Sequence, residues 1–231
     1  MTVPFATLKS SSWTDNGGGV YTGAYTATTA IPVSLDGLEV NGYTFLPEAG
    51  FPTTGFTGAN FRLKLKLASA TDYTWSTNAS WVSVTNDGVV TFTGTGTSDR
   101  VTITGTSNNG HGRVVAYSFT LKNWFISSGH MNLNWADANT YCSSRAGYSL
   151  PVVAQLTLHS GHVPTRLRGT GALWNEWGNT LSYPGAVFSG AYNWSLDPED
   201  RGDHYSVHLG SGNIGSNYGG NSSGVVCLFF F

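Results

Sequence analysis

Charge is what this 231-residue chain has least of. Asp, Glu, Lys and Arg make up 10% of it, against about 25% in ordinary soluble domains. The formal net charge of −2 excludes strong electrostatic attraction to nucleic acid or to an anionic membrane surface. No apolar run approaches the roughly 20 residues that a membrane helix needs, so no membrane contact is expected within this chain. The start, Met1-Thr-Val-Pro4, has neither the basic nor the apolar part of an export signal. The expectation is a fragment of an exported protein whose signal lies upstream. Nucleophile elbows, HExxH, P-loops and GxGxxG are all missing. The chain is therefore not expected to be an enzyme, and no cofactor or metal is implied.

Cysteine is equally scarce. Cys142 and Cys227 are the only two, and 227 − 142 = 85 positions separate them. That spacing excludes a CxxC redox motif and a zinc knuckle. Two readings stay open. One is a disulfide, worth about 4–5 kcal/mol in the chain-entropy model and implying an oxidising compartment. The other is two buried free thiols. The placement of Cys142 on a helix pattern and of Cys227 on the final strand pattern favours the bridge.

Gly, Thr, Ser and Asn fill the space that charge leaves, as in secreted β-proteins. Residues 1–30 hold one strong turn, Asp15-Asn-Gly-Gly-Gly19, followed by a strand-like run. Residues 31–122 carry strand signals and no helix. Leu38-Glu-Val-Asn-Gly-Tyr-Thr-Phe45 reads as a hairpin around Asn-Gly. Phe61-Arg-Leu-Lys-Leu-Lys-Leu67 alternates, with Phe61, Leu63, Leu65 and Leu67 inward and Arg62, Lys64 and Lys66 outward. The basic stripe reads as a solvated strand face that discourages edge pairing. Trp75 is the expected core anchor, and residues 82–93 form a second hairpin around Asn86-Asp-Gly88. About seven short strands punctuated by turns predict a β-sandwich. Leu121-Lys-Asn-Trp-Phe-Ile126 then leads onward without a Gly/Ser/Pro linker. Little hinge freedom is expected, with Trp124 and Phe125 at the contact.

Beyond residue 123 the periodicity changes. Asn134 is an N-cap candidate, and Trp135, Ala138 and Cys142 share a helical face. A second helix is expected over 149–158, with Pro151 in its first turn. Strands are expected at 191–195, 204–209 and 224–231, after a long Gly- and Trp-rich loop.

YTWSTNASWVSVTNDGVVTFTGTG resembles a bacterial Ig-like domain, and NGYTFLPEAGFPTTGFTGANFRL resembles the opening of the last Ig-like domain of intimin- and invasin-type adhesins. The pairing of WADAxxYC with SLPxxxQL resembles the two helices of a C-type lectin-like domain, especially at invasin tips. The resemblance covers about residues 31–231. It implies a mainly β chain: residues 1–30 a remnant of a preceding Ig-like repeat, 31–122 an Ig-like β-sandwich, 123–231 an α+β C-type lectin-like domain. It further implies a monomeric fragment of a Gram-negative outer-membrane adhesin lying outside the cell. Its tip would bind a host protein such as an integrin, a bacterially delivered receptor or an immunoglobulin. The Glu-Pro-Asn, Gln-Pro-Asp and Trp-Asn-Asp triplets of calcium lectins are missing, which argues against a Ca²⁺-bridged sugar site. A calcium-independent carbohydrate-binding module is the alternative.

Two places are candidates for recognition. The loop from 161 to 190 holds Arg166, Arg168, Trp174 and Trp177, residue types that anchor protein interfaces or else fill a lectin-like core. Arg201-Gly-Asp203 is an RGD tripeptide between two expected strands. By itself it is a weak motif in a chain with 30 Gly, and a plain polar turn fits it too. His204 with His208, and His159 with His162, lack partners at ligand spacing and read as ordinary polar residues.

Overall fold

Strand signals become strands almost throughout the computed structural model, which describes residues 6–8, 14–19, 21–22, 25–27, 33–109, 113–158, 167–189 and 192–231. Two units emerge, Met1–Val33 and Ser34–Phe231. In the first, β1 (Ala6–Leu8) pairs antiparallel with β4 (Tyr25–Ala27), and β2 (Thr14–Asp15) with β3 (Tyr21–Thr22). The expected turn closes β2 onto β3. Asp15 Oδ1 accepts the Gly17 N–H at 2.8 Å, and Gly17, Gly18 and Gly19 all have positive φ, which only glycine adopts without strain.

The second unit opens with β5 (Ser34–Val40), β6 (Tyr43–Phe45), β7 (Thr54–Gly55), β8 (Asn60–Lys66), β9 (Tyr73–Thr77), β10 (Val82–Val84), β11 (Val89–Phe92), β12 (Val101–Ser107) and β13 (Val114–Phe119). An antiparallel sheet of order β10-β11-β8-β5-β6 faces a second sheet of order β13-β12-β9. This is the Ig-like half. Asn41 and Gly42 take positive φ and close the β5–β6 hairpin, as Asn-Gly predicts. Along β8, Phe61 and Leu63 are buried while Arg62, Lys64 and Lys66 are exposed. The basic stripe is partly neutralised: Arg62 pairs with Asp87 at 2.8 Å and Lys64 with Glu39 at 3.5 Å. Leu67 departs from expectation. Its φ is +66° and it is exposed, because the strand ends at Lys66 and the chain swings into a turn capped by Ser69. Trp75 departs too. It is only half-buried and lies over Gly105, while Trp81 takes the central place against Phe92, Phe119 and Trp124.

The lectin-like half follows as β14 (Asn123–Leu133), α1 (Trp135–Ser143), β15 (Tyr148–Ser149), α2 (Val153–Leu156), α3 (Leu173–Trp177), β16 (Tyr192–Pro198), β17 (Asp203–His208), β18 (Asn213–Tyr218) and β19 (Ser223–Phe230). Asn134 caps α1 by accepting the Asp137 N–H at 2.9 Å. Ala138 and Cys142 turn to the interior, where a disulfide joins Cys142 to Cys227 on β19 with the Cα atoms 5.3 Å apart. The second helix is much shorter than expected. Tyr148 and Ser149 instead pair with β19. Residue 150 precedes a proline, which disfavours helical backbone there, and α2 begins only at Val153. β18 was not foreseen at all.

Where the halves meet, they share a sheet. Its order is β18-β17-β16-β19-β14-β7, so a strand of the Ig-like half completes the sheet of the lectin-like half. β7 runs parallel to β14, pairing Thr54 with Asn123 and Gly55 with Trp124. The Lys122 N–H reaches the Thr53 carbonyl at 2.7 Å. Trp124 and Phe125 are both buried, as the missing linker suggested. Glycine is required on both sides of the Trp124 ring: a Cβ on Gly55 or Gly96 would stand 2.8 or 2.7 Å from it. One contiguous core then runs from Leu38, Phe61 and Phe92 through Trp177 to Val207 and Leu228. A shared core and a shared sheet leave no hinge between the halves.

Candidate functional site

In the described part of the loop, residues 167–189, the tryptophans turn inward, the core reading of the two that the sequence left open. All of α3 is buried, from Leu173 to Trp177. Trp177 is 0% exposed and packs against Phe51, Phe56 and Phe92 of the Ig-like half. Its indole N–H donates to Thr54 Oγ1 at 2.9 Å. Trp174 is 6% exposed, and Tyr183 and Phe188 are buried as well. None of these rings offers a surface to a partner. Trp177 is core because the sandwich edge provides an aromatic socket for it, and Trp174 is buried too. Arg166, like His159 and His162, lies outside the described residues.

Arg168 is committed internally. Nε donates to the Asn175 carbonyl at 3.0 Å and Nη2 to the Glu176 carbonyl at 2.7 Å. Longer bonds reach the carbonyls of Val40 and Asn41 across the junction, and the guanidinium lies 5.3 Å from the centre of the Tyr43 ring. Burial lowers its pKa, with Tyr183 and Tyr43 acting in the opposite sense. Arg168 is thus a bolt between the halves.

Sequence reasoning missed Glu176. Its carboxylate is 0% exposed and accepts only from donors. The Thr53 N–H lies 3.0 Å from Oε2, and the Thr54 N–H and hydroxyl lie 2.8 and 2.7 Å from the same oxygen. Oε1 takes the Thr53 hydroxyl at 2.5 Å and the Gly171 N–H at 2.8 Å. Burial pushes this carboxyl above the ordinary range, and the donors from Thr53, Thr54 and Gly171 pull it back. The only signal in the sequence is a lone acidic residue between two tryptophans, in the run Leu-Trp-Asn-Glu-Trp.

The tripeptide at 201–203 does the reverse. A 3-10 turn, Asp200–Gly202, joins β16 to β17. Arg201 takes a left-handed backbone, φ +63°, and Gly202 follows at +85°. The Glu199 N–H closes the turn onto the Asp203 carbonyl at 2.8 Å. Arg201 and Gly202 are exposed and Asp203 is half-exposed. Among the described residues neither the Arg201 guanidinium nor the Asp203 carboxylate has a side-chain partner. Tyr218, 61% exposed, stands opposite Asp203 in the register of β17 and β18. A cation, an anion and an aromatic ring are therefore offered together at the sheet edge. Behind them His204 stacks on Trp135 with ring centres 3.9 Å apart. His208 shares a hydrogen bond with Ser211 at 3.2 Å. Among the described residues no group of three or more His, Cys, Asp or Glu side chains gathers to hold a metal ion.

Comparison with known proteins agrees with this geometry. The family described as "Invasin, domain 4" matches residues 36–119, the Ig-like half. The inverse autotransporter adhesin YeeJ of Escherichia coli (strain K12) is 36% identical over 181 residues. The chain belongs to the intimin- and invasin-type adhesins. The match to YeeJ covers 76% of this chain and 7% of that protein. Invasin of Yersinia enterocolitica is 28% identical over 172 residues, covering 72% of this chain and 20% of the relative. The chain thus spans a small part of the length of both relatives. Among solved structures, that of invasin, titled a bacterial integrin-binding protein, superposes with a TM-score of 0.76 at 23% identity, over 90% of this chain and 41% of that one. A fragment of intimin in complex with the intimin-binding domain of the translocated intimin receptor gives 0.61 at 18% identity, over 90% and 70%. At those identities the structures establish the shared fold, an Ig-like sandwich followed by a lectin-like domain. This adhesin chain has no helix among its described residues long and apolar enough to cross a membrane.

Proposed function

We propose that this chain is the receptor-facing end of a bacterial outer-membrane adhesin and that it binds a host cell-surface protein of the integrin kind through the turn at 201–203. The carrying observation is the pair of unused charges at that turn. Arg62, Arg145 and Arg168 are engaged within the protein, whereas Arg201 and Asp203 are not. A planar guanidinium suits a receptor carboxylate, and a half-exposed carboxylate suits a cation held by the receptor. The glycine between them lets the two side chains diverge. Invasin, described as a bacterial integrin-binding protein, and intimin, seen in complex with the translocated intimin receptor, support a protein partner over a chemical substrate. On this reading the shared core and sheet supply stiffness: pulling force passes from the lectin-like half into the Ig-like half without a hinge. Binding area does the work, and no reaction is needed.

The test is adhesion of integrin-bearing host cells to a surface coated with residues 1–231. Adhesion is expected in buffer with divalent cations, and loss on adding chelator or a soluble RGD peptide. Adhesion indifferent to both treatments, or none at all, would refute the reading.

A further inference from the structure

The lectin-like half carries a second concave feature, on the sheet face rather than at its edge. A cavity of about 370 Å³ opens over β14, β16, β17 and β18. Its walls are Asn132, Tyr192, Ser206, Asn217, Ser222 and Ser223, with Gly215 among them. Among the described residues no Asp, Glu, Lys, Arg or His lines it.

Each wall contributes a particular chemistry. Ser206 is 1% exposed and lines the cavity, where its hydroxyl can both donate and accept. Asn217 is held at both ends of its amide: it accepts from Asn221 Nδ2 at 2.7 Å and donates to Ser223 Oγ at 3.4 Å. That fixes the amide while leaving one of its N–H bonds free. Tyr192 is 39% exposed. Its ring occupies the space a side chain at Gly215 would need, since a Cβ there would lie 2.8 Å from it. The His208 ring meets it edge-on at 5.2 Å. Tyr192 is thus an open aromatic surface fixed from two sides.

We infer that this cavity binds a neutral saccharide residue without calcium. Hydroxyl and amide groups both donate and accept, as sugar hydroxyls do. The aromatic ring suits the C–H face of a pyranose. An uncharged lining disfavours phosphates, sulfates and sialic acids, because nothing offsets the desolvation of their charge. The volume lies within the range of roughly 300–1,000 Å³ of small-molecule sites. The inference does not depend on the protein-receptor reading.

The experiment uses residues 1–231 in buffer containing chelator. One arm is an array of host-type glycans ending in galactose, mannose, fucose, N-acetylglucosamine and N-acetylgalactosamine, with sialylated and sulfated controls. The other arm is neutral bacterial polysaccharide fragments. Binding in either arm supports the inference and tells the source. Titration calorimetry with the best neutral ligand then reads the site. Tyr192→Ala is expected to weaken binding by roughly tenfold, the equivalent of one lost aromatic contact, and Tyr192→Phe to retain it. Asn217→Ala is expected to weaken binding similarly, with the exposed Asn132→Ala as a second variant if Asn217→Ala fails to fold. Asp203→Ala is expected to leave sugar binding unchanged, which separates this site from the receptor turn. No neutral glycan bound in either arm, binding only to charged glycans, or affinity untouched by Tyr192→Ala would overturn it.

Discussion

Replacing Glu176 by alanine tests the junction most severely. The carboxylate is buried, and removing it leaves the N–H groups of Thr53, Thr54 and Gly171 and two threonine hydroxyls without their acceptor. An orphaned buried donor costs about 1–3 kcal/mol. The hydroxyls can rotate, and water can enter the vacated space, so the costs do not simply add. Three backbone N–H groups and two hydroxyls, partly satisfied again by rotation and water, put the expected loss at about 4 kcal/mol. Total stabilities are about 5–15 kcal/mol, so this is a large fraction. At roughly 2–4 °C per kcal/mol for a chain of this size, the melting temperature should fall by about 8–16 °C. Urea unfolding followed by tryptophan fluorescence reads the loss directly, since Trp124 and Trp177 sit in the affected core. A cycle with Thr54→Val should show a coupling of about 0.5–3 kcal/mol. A loss below about 1 kcal/mol, or strict additivity with Thr54→Val, would refute the clamp.

The same carboxyl predicts a pH dependence. Its folded pKa lies above the reference value of 4.5, so between these two values the folded state holds more proton than the unfolded state. Its contribution to stability therefore falls as pH rises from 4.5 towards the folded pKa. Parent and Glu176→Gln, unfolded in urea across that window, should diverge with the parent losing ground as pH rises; the opposite slope would contradict the assignment. Cys142→Ala with Cys227→Ala opens a crosslink of sequence separation 85 and should cost about 4–5 kcal/mol, read by the urea midpoint. Gly96→Ala forces a Cβ against Trp124 and should cost about 1–3 kcal/mol, whereas Gly169→Ala, with nothing within 4 Å of its Cβ, should be close to neutral by the same assay.

Much of this architecture was legible because local patterns and tertiary demands agree. The Asn41–Gly42 turn, the alternation at Phe61 and Leu63, the Asn134 cap and the face carrying Ala138 and Cys142 all read directly. What escaped was set by contacts between distant segments. β18 is mostly Asn, Gly and Ser, poor strand formers relieved only by Ile214 and Tyr218, and it exists because β17 offers it a full register. α3 contains a glutamate between tryptophans, which composition alone places at a surface. It is buried because Thr53 and Thr54, some 120 residues earlier, supply donors. The same contacts decide the fate of the candidate residues. Arg168 and Trp177 are drawn into the junction, and Trp174 is buried. Arg201 and Asp203, on a tight turn closed by its own backbone, stay outside the junction, with no side-chain partner among the described residues. The cavity beside Tyr192 stayed hidden because its walls come from β14, β16, β17, β18 and the turn before β19.

The most direct measurement is the affinity of residues 1–231 for a purified integrin ectodomain in the presence of divalent cations, with and without Asp203→Ala. The account predicts measurable binding that Asp203→Ala weakens by roughly thirtyfold or more, the mark of a hot-spot residue, with the fold and urea midpoint unchanged. Equal affinity for both proteins would contradict it.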